Sequence, residues 1–391
     1  MMEAGGQGEG ARHMGGSVPL GKLLGIPLRV HWSAPVLILF LGFGLAGGTL
    51  PQWVPGRSAA VYDTAGLAGA VLLTVSLLLH EAAHAVTARR AGIRVVDITV
   101  WGLGGVTRLG QAATPRTQFL VAAAGPATSL VLGGLALAGG YGAGHLLHWT
   151  LVSAVLVWAG GANLLLGLFN LVPAAPLDGG RVLLSAVWWR SGDRPRAQRV
   201  AGRSGQVAGF LMIAAGWIAL TRGLGSGLWL MLVGGFVAVS ATAEMRQAVI
   251  LAALEDVRVA DAMTAPPVTG PDWRTVEDFL ATVMAGTQRP AVPVVDFDGR
   301  PSGVVERNRL LLVPASRRSE LRVRDLAVPL AQCTVAAPQD ELTEVLGRVA
   351  PAAQLMILVM EEGRLVGTVT GEDVMRMARR RLPDPGGGLR I

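Results

Sequence analysis

Val71-Leu-Leu-Thr-Val-Ser-Leu-Leu-Leu-His80-Glu81-Ala-Ala-His84-Ala-Val86 is the stretch that decides how this 391-residue chain folds. The apolar run around it, about residues 66–88, has the length of roughly 17–25 residues that a helix needs to cross a bilayer. An ionisable side chain in such a run costs at least about 2.5 kcal/mol unless it has a partner or a task. Here three fall within five residues, and no cation in the adjacent spans offers to pair with them. Spaced i, i+4, His80 and His84 share one helical face about a turn apart, so both imidazoles reach one Zn2+, with Glu81 beside them as candidate base.

A catalytic zinc takes three protein ligands and keeps an open position. The single cysteine, Cys333, excludes an internal disulfide framework and a thiolate cluster. His13 falls in the N-terminal tail, His31 at the start of the first span, and His145 and His148 in a loop. Asp63, Asp193 and Glu244 fall at loops or ends, whereas Asp97 is a nearer candidate. Asp178 suits the role better. It closes Asn170-Leu-Val-Pro-Ala-Ala-Pro-Leu-Asp178-Gly, a Pro/Gly-broken segment of the kind tolerated at membrane depth where it lines a protein cavity. The same aspartate also suits a helix N-cap, and its local sequence favours neither role.

Hydrophobic residues make up 51% of the chain, most of them between about residues 33 and 244. This predicts a polytopic α-helical membrane domain with about six transmembrane helices, at about 33–50, 66–88, 118–140, 150–169, 205–221 and 225–243. Residues 170–200 read as an irregular, partly helical excursion. Arg89, Arg90, Arg94, Arg108 and Arg116 follow the second span, and Arg181, Arg190, Arg194, Arg196, Arg199 and Arg203 precede the fifth. Both loops are therefore expected in the cytoplasm, and an even number of spans puts both termini there too. The same arginines account for the net charge of +7, so no nucleic-acid partner is expected. Residues 1–17, Gly-rich and lacking a signal-peptide core, read as a disordered tail ahead of a transmembrane unit at 18–250.

Beyond about residue 255 the chain reads as a soluble α/β duplication. Val257-Arg-Val-Ala-Asp261 matches Leu321-Arg-Val-Arg-Asp325, and Asp298-Gly-Arg-Pro-Ser-Gly-Val304 matches Glu362-Gly-Arg-Leu-Val-Gly-Thr368. The offset of about 64 residues sets two repeats, 256–314 and 320–380, before a flexible tail at 381–391; two copies are too few for a solenoid.

His80-Glu-Ala-Ala-His84 inside a span, together with Asn170-Leu-Val-Pro-Ala-Ala-Pro-Leu-Asp178-Gly, resembles the site-2 protease family of intramembrane zinc metallopeptidases. Trp101-Gly-Leu-Gly-Gly-Val106 is similar to that family's Gly-rich membrane-associated hairpin, and Ala124-Gly125-Pro126 to the start of its third core span. Where that span's motif commonly continues to asparagine, this chain has Ser129, a departure on which no metal chemistry is expected to depend. The resemblance implies one zinc held by His80, His84 and Asp178, with Glu81 as catalytic base. It implies a single-span membrane protein as substrate, for instance a signalling regulator such as an anti-sigma factor, cut in the lipid bilayer. Asn170 is a candidate oxyanion or substrate contact, and the edge near Gly102 to Thr107 suits either strand addition by an unwound substrate or a turn with no substrate role.

The repeats resemble a tandem of cystathionine-β-synthase-type (CBS) domains, which implies an adenine nucleotide as regulatory ligand and a homodimer through the pair. Thr370 and Asp373 in Gly367-Thr-Val-Thr-Gly-Glu-Asp373 fit that family's phosphate and ribose contacts, and equally fit a simple helix cap. The first repeat, Gly303-Val-Val-Glu306-Arg-Asn308-Arg, lacks the hydroxyl and the acid. Tandem CBS domains also occur on transporters, so a CBS-regulated metal or ion transporter is the alternative; such a site needs no base at Glu81.

Overall fold

The computed structural model describes residues 17–102, 104–110, 112–349 and 355–381. The tails expected over 1–17 and 381–391 lie outside the described residues, except that Ser17 begins a strand and Arg381 ends a helix. The chain divides into two compact units that join between Ala248 and Val249.

The first unit opens with strands β1 (Ser17–Leu23) and β2 (Ile26–His31). Helix α1 (Ser33–Gly44) then continues through a π-helical turn, Leu45–Thr49, into α2 (Leu50–Trp53). There follow α3 (Ala59–Arg90), strands β3 (Val95–Trp101) and β4 (Gly104–Leu109), α4 (Pro115–His145), α5 (Thr150–Asn170), α6 (Asp178–Ser191), α7 (Arg194–Thr221) and α8 (Ser226–Ala253). Among the described residues, six helices are long and apolar enough to cross a membrane: Ser33–Trp53, α3, α4, α5, α7 and α8. Large apolar side chains on them, such as Leu135, Leu165 and Phe210, stand exposed, as lipid-facing residues do.

Most of these helices outrun the spans expected from hydropathy, because hydropathy reads only the part that sits in hydrocarbon. At α4 and α7 the starts are set by side-chain caps instead, from Thr114 and Asp193. Residues 170–200, expected to be irregular and partly helical, are mostly helical. Helix α6 ends on Gly192 in the left-handed conformation (φ 69°), and α7 starts at once, its N-cap Asp193 accepting from the Arg196 amide at 2.8 Å. The arginines from 194 to 203 thus lie inside α7.

Small residues let the helices approach. A Cβ on Gly133 would come within 3.0 Å of the Gly160 carbonyl, and one on Gly209 within 2.7 Å of the Gly234 carbonyl, so these pairs bring α4 to α5 and α7 to α8 almost backbone to backbone.

The four strands form one sheet in the order β1-β2-β3-β4, with β2 parallel to β3 and the outer pairs antiparallel. The hairpin expected near Gly102 is β3–β4; the β1–β2 partner hairpin was not expected, since Ser17–His31 is too short and too mixed in pattern to register beside long apolar spans. Asp97, 1% exposed, is held by Arg108 through two nitrogens on one rung of β3–β4. That pairing removes it as a candidate metal ligand.

The second unit carries two copies of one set of elements. The first copy comprises α9 (Val259–Ala262), β5 (Gly270–Pro271), α10 (Val276–Phe279), β6 (Ala291–Val295), β7 (Pro301–Glu306) and α11 (Arg307–Leu311). A 3-10 turn at Val323–Asp325 and strand β8 (Val328–Pro329) lead into the second copy. Its further elements are β9 (Thr334–Ala336), α12 (Leu342–Arg348), β10 (Met356–Glu361), β11 (Arg364–Thr370) and α13 (Gly371–Arg381). Val328 of β8 pairs with Val304 in the first copy's sheet, and Thr264 bridges to Thr368 in the second's. The same offset of about 64 residues relates the two pairings, so each copy's leading segment is stitched into its partner's sheet, as a duplication with pseudo-twofold symmetry requires. Val276, Phe279 and Val305 core the first copy; Leu342, Ile357 and Val369 core the second.

Candidate metal centre

His80 and His84 sit deep in α3, 3% and 4% exposed. Their Nε2 atoms lie 3.2 Å apart, and each lies 3.2 Å from Asp178 Oδ2. Three corners of a tetrahedron about 2.0 Å from its centre stand about 3.3 Å apart, so this near-equilateral triangle has the spacing that zinc imposes on nitrogen and carboxylate donors. Two imidazoles and one carboxylate are also a donor set that zinc accepts with a fourth position left over. Among the described residues these are the only three metal-ligating side chains gathered in this way.

The outer face of each imidazole is tied down. His84 Nδ1 donates to the Val121 carbonyl at 2.7 Å, and since a carbonyl only accepts, the Nδ1 proton is fixed and Nε2 keeps its lone pair. His80 Nδ1 lies 2.8 Å from the Ser129 hydroxyl, which accepts when Nε2 faces a metal. Ser129, fully buried, thus belongs to the support of the site. This corrects the expectation that nothing in the metal chemistry depends on it. Both supports come from α4, which comes close because Gly125 has no side chain: a Cβ there would lie 2.2 Å from His84 Nε2 and 2.6 Å from His80 Nε2.

Asp178 reaches the histidines through a folded-back loop. The N-cap of α6 is Leu177, and Asp178 is the first helical residue, so its carboxylate serves the histidines and does not cap the helix. Gly179 and Gly180 make that possible. Their Cβ atoms would lie 2.2 Å from the Val172 carbonyl and 2.4 Å from the Ala175 amide, so the first turn of α6 packs directly on the loop before it. Gly205 of α7 closes on the same loop, where a Cβ would sit 2.1 Å from the Ala175 carbonyl. No periodicity or motif spacing marks such contacts in advance.

Glu81, 8% exposed, is turned toward β4, where Thr107 Oγ1 donates to its Oε2 at 2.7 Å. Gly105 on the same strand lies against it. The sequence placed Thr107 only at the end of a candidate substrate edge and gave no sign of its contact with Glu81. Asn170 ends α5, half-buried, and among the described residues its side chain makes no hydrogen bond.

In the second unit Thr370 and Asp373 form a reciprocal cap at the start of α13. Asp373 Oδ2 accepts from the Thr370 amide (2.9 Å) and hydroxyl (2.7 Å), and its other oxygen accepts from Thr264 at 2.8 Å and from Arg376. Burial pushes the Asp373 carboxyl up, but the bonds from Thr370 and Thr264 and the charge of Arg376 outweigh it and hold it below the usual carboxylate range. The matching corner of the first copy carries Glu306 and Arg309, whose guanidinium bonds the Leu326 carbonyl.

Comparison with known proteins adds to the geometry. Residues 68–149 and 140–215 match the family described as Peptidase family M50, and residues 259–316 match the CBS domain. Over 375 residues the chain is 43% identical to "Putative zinc metalloprotease Rip3" of Mycobacterium tuberculosis, spanning 94% of this chain and 95% of the relative. It is 30% identical to "Putative zinc metalloprotease sll0528" of Synechocystis sp., spanning 94% and 97%. Among solved structures, "Site-2 Protease from Methanocaldococcus jannaschii" aligns at 26% identity over 59% of this chain and 95% of that one, with a TM-score of 0.39. With 43% identity to the mycobacterial relative over nearly the full length of both chains and matches to both families, this multi-pass chain belongs to the M50, site-2 protease family of zinc metalloproteases and carries a CBS domain on its C-terminal side.

Proposed function

We propose that the chain hydrolyses a peptide bond in or near the transmembrane segment of a single-span membrane protein, for instance a signalling regulator such as an anti-sigma factor. The convergence of Asp178 of α6 on His80 and His84, beside Glu81 in the apolar helix α3, carries this reading. The two histidines and the aspartate would hold one zinc, which when bound acidifies a water and polarises the scissile carbonyl. Glu81 takes the proton from the attacking water and returns it to the leaving amine. Asn170, at the end of α5, is the candidate side-chain donor to the oxyanion.

A substrate helix must unwind before attack, and its freed backbone then needs partners in lipid. Strand β4 is the outer strand of its sheet and holds Glu81 through Thr107, so a substrate strand added along β4 lies beside the base. Arginine placement supports a cytoplasmic N-terminus, C-terminus and CBS pair. The CBS pair takes an adenine nucleotide at the Thr370–Asp373 corner, where the second copy keeps the hydroxyl and acid that the first lacks, and it serves for homodimerisation.

The deciding experiment is Glu81→Gln in purified full-length protein, read by zinc content and by cleavage of a single-span reporter. Bound zinc with cleavage reduced by at least about 100-fold is expected of a lost general base. Wild-type protein that binds zinc, cleaves nothing and moves metal across a vesicle membrane would establish the transporter instead.

A further inference from the structure

The Glu81 carboxylate is met by one strand on two sides. Gly105 and Thr107 lie two residues apart on β4 and so share a face of the sheet, and both meet Glu81. At Gly105 the approach is so close that a Cβ would lie 2.3 Å from Glu81 Cγ and 3.1 Å from Oε1. This position admits the carboxyl but, having no side chain, offers nothing to hold it. At Thr107 the hydroxyl stands 2.7 Å from Oε2 and 3.2 Å from the Glu81 carbonyl. A hydroxyl has one proton to give, and the shorter, charge-assisted contact takes it. The next residue of β4, Arg108, is locked to Asp97 across the hairpin, so the strand that presents Thr107 is itself fixed in register.

We propose that Thr107 is a positioning residue: its hydroxyl holds the Glu81 carboxylate in one rotamer against β4, and so ties the base to the strand that offers its edge to substrate. A glutamate has three side-chain torsions; packing against Gly105 limits the first two, and the directed hydrogen bond from Thr107 orients the terminal carboxylate, whose last torsion is otherwise broad. The proposal rests on Glu81 being the general base.

The test uses full-length protein in detergent or liposomes, comparing wild type, Thr107→Val, which keeps the shape and removes the donor, and Thr107→Ser, which keeps the donor. Removing a hydrogen bond to a charged group predicts a fall in kcat of about ten- to a hundredfold in Thr107→Val, with KM, zinc content and melting temperature near wild type. Thr107→Ser is expected to recover most of the loss. A second readout does not require turnover. The infrared carboxylate band that disappears in Glu81→Gln should shift in Thr107→Val and return in Thr107→Ser. Wild-type kcat in Thr107→Val, equal loss in the valine and serine variants, or an unmoved band would overturn the proposal. Should the wild type bind zinc and cut nothing, the peptidase reading falls, while the infrared band still decides whether Thr107 holds Glu81.

Discussion

Ser129 stands 2.8 Å from His80 Nδ1 with no exposure to solvent, and its one task visible in the structure is to fix that ring. Outer partners of metal-bound histidines typically contribute about 10–100-fold to metal affinity by holding tautomer and orientation. Ser129→Ala should therefore weaken zinc retention by about that factor in a chelator competition, with little change in the melting temperature of the metal-free protein. Unaltered zinc affinity would show that the Val121 carbonyl, acting through His84, suffices. Of the residues at the site, His80, Glu81 and His84 were legible because charge in an apolar run is anomalous wherever the run folds. Asp178 was half legible, since cap and ligand look the same in sequence. The parts that Thr107, Ser129 and Gly125 play at the site were illegible, because each matters only for what lies opposite it.

At the scale of elements, the first turn of α6 is the least replaceable piece. Its two glycines replace side chains with backbone contact to the loop of residues 171–177, and Asp178 is aimed by that contact. Gly180→Ala places a methyl 2.4 Å from a backbone nitrogen, which cannot give way as a flexible side chain would, so α6 must shift. The expected outcome is at least a tenfold loss of zinc affinity, measured by the same competition; full retention would show that the loop re-forms around the methyl. The β1–β2 hairpin makes the same point in a different way. Neither strand is apolar enough to announce itself; β2 forms on the edge that β3 offers, and β1 on the edge that β2 offers in turn.

The whole molecule couples a unit stabilised by lipid to one stabilised by an ordinary apolar core. In the latter, Thr264 reaches from the first copy to Asp373 in the second, so that carboxylate joins the duplicated halves. Its depressed value means that the native state favours the charged form, and the stability this gives is present above the unfolded value of about 3.9 and lost as pH falls through the native one. Asp373→Asn should therefore lower the melting temperature of the C-terminal unit at pH 7, with the gap to wild type narrowing below about pH 4. A gap independent of pH would show that the charge plays no part. The same melting transition tests nucleotide binding at this corner: millimolar AMP or ATP should raise it, by an amount set by concentration over Kd, and a flat response would leave the corner as a helix cap alone.

By itself the sequence determined the class of the protein, its spans, its duplication and the chemistry of its metal. Each of these rests on a local quantity: apolar length against bilayer thickness, the i, i+4 spacing of two histidines, and the similarity of one segment to another. The tertiary structure decided which acid completes the triangle, that Asp97 belongs to Arg108, and that Glu81 is held from β4. The Asp97–Arg108 pair is a matter of hairpin register, whereas the other two are meetings of residues distant in the chain, permitted by the absence of side chains at Gly105, Gly125, Gly179 and Gly180, and a missing Cβ has no meaning until the atom it would have struck is in place.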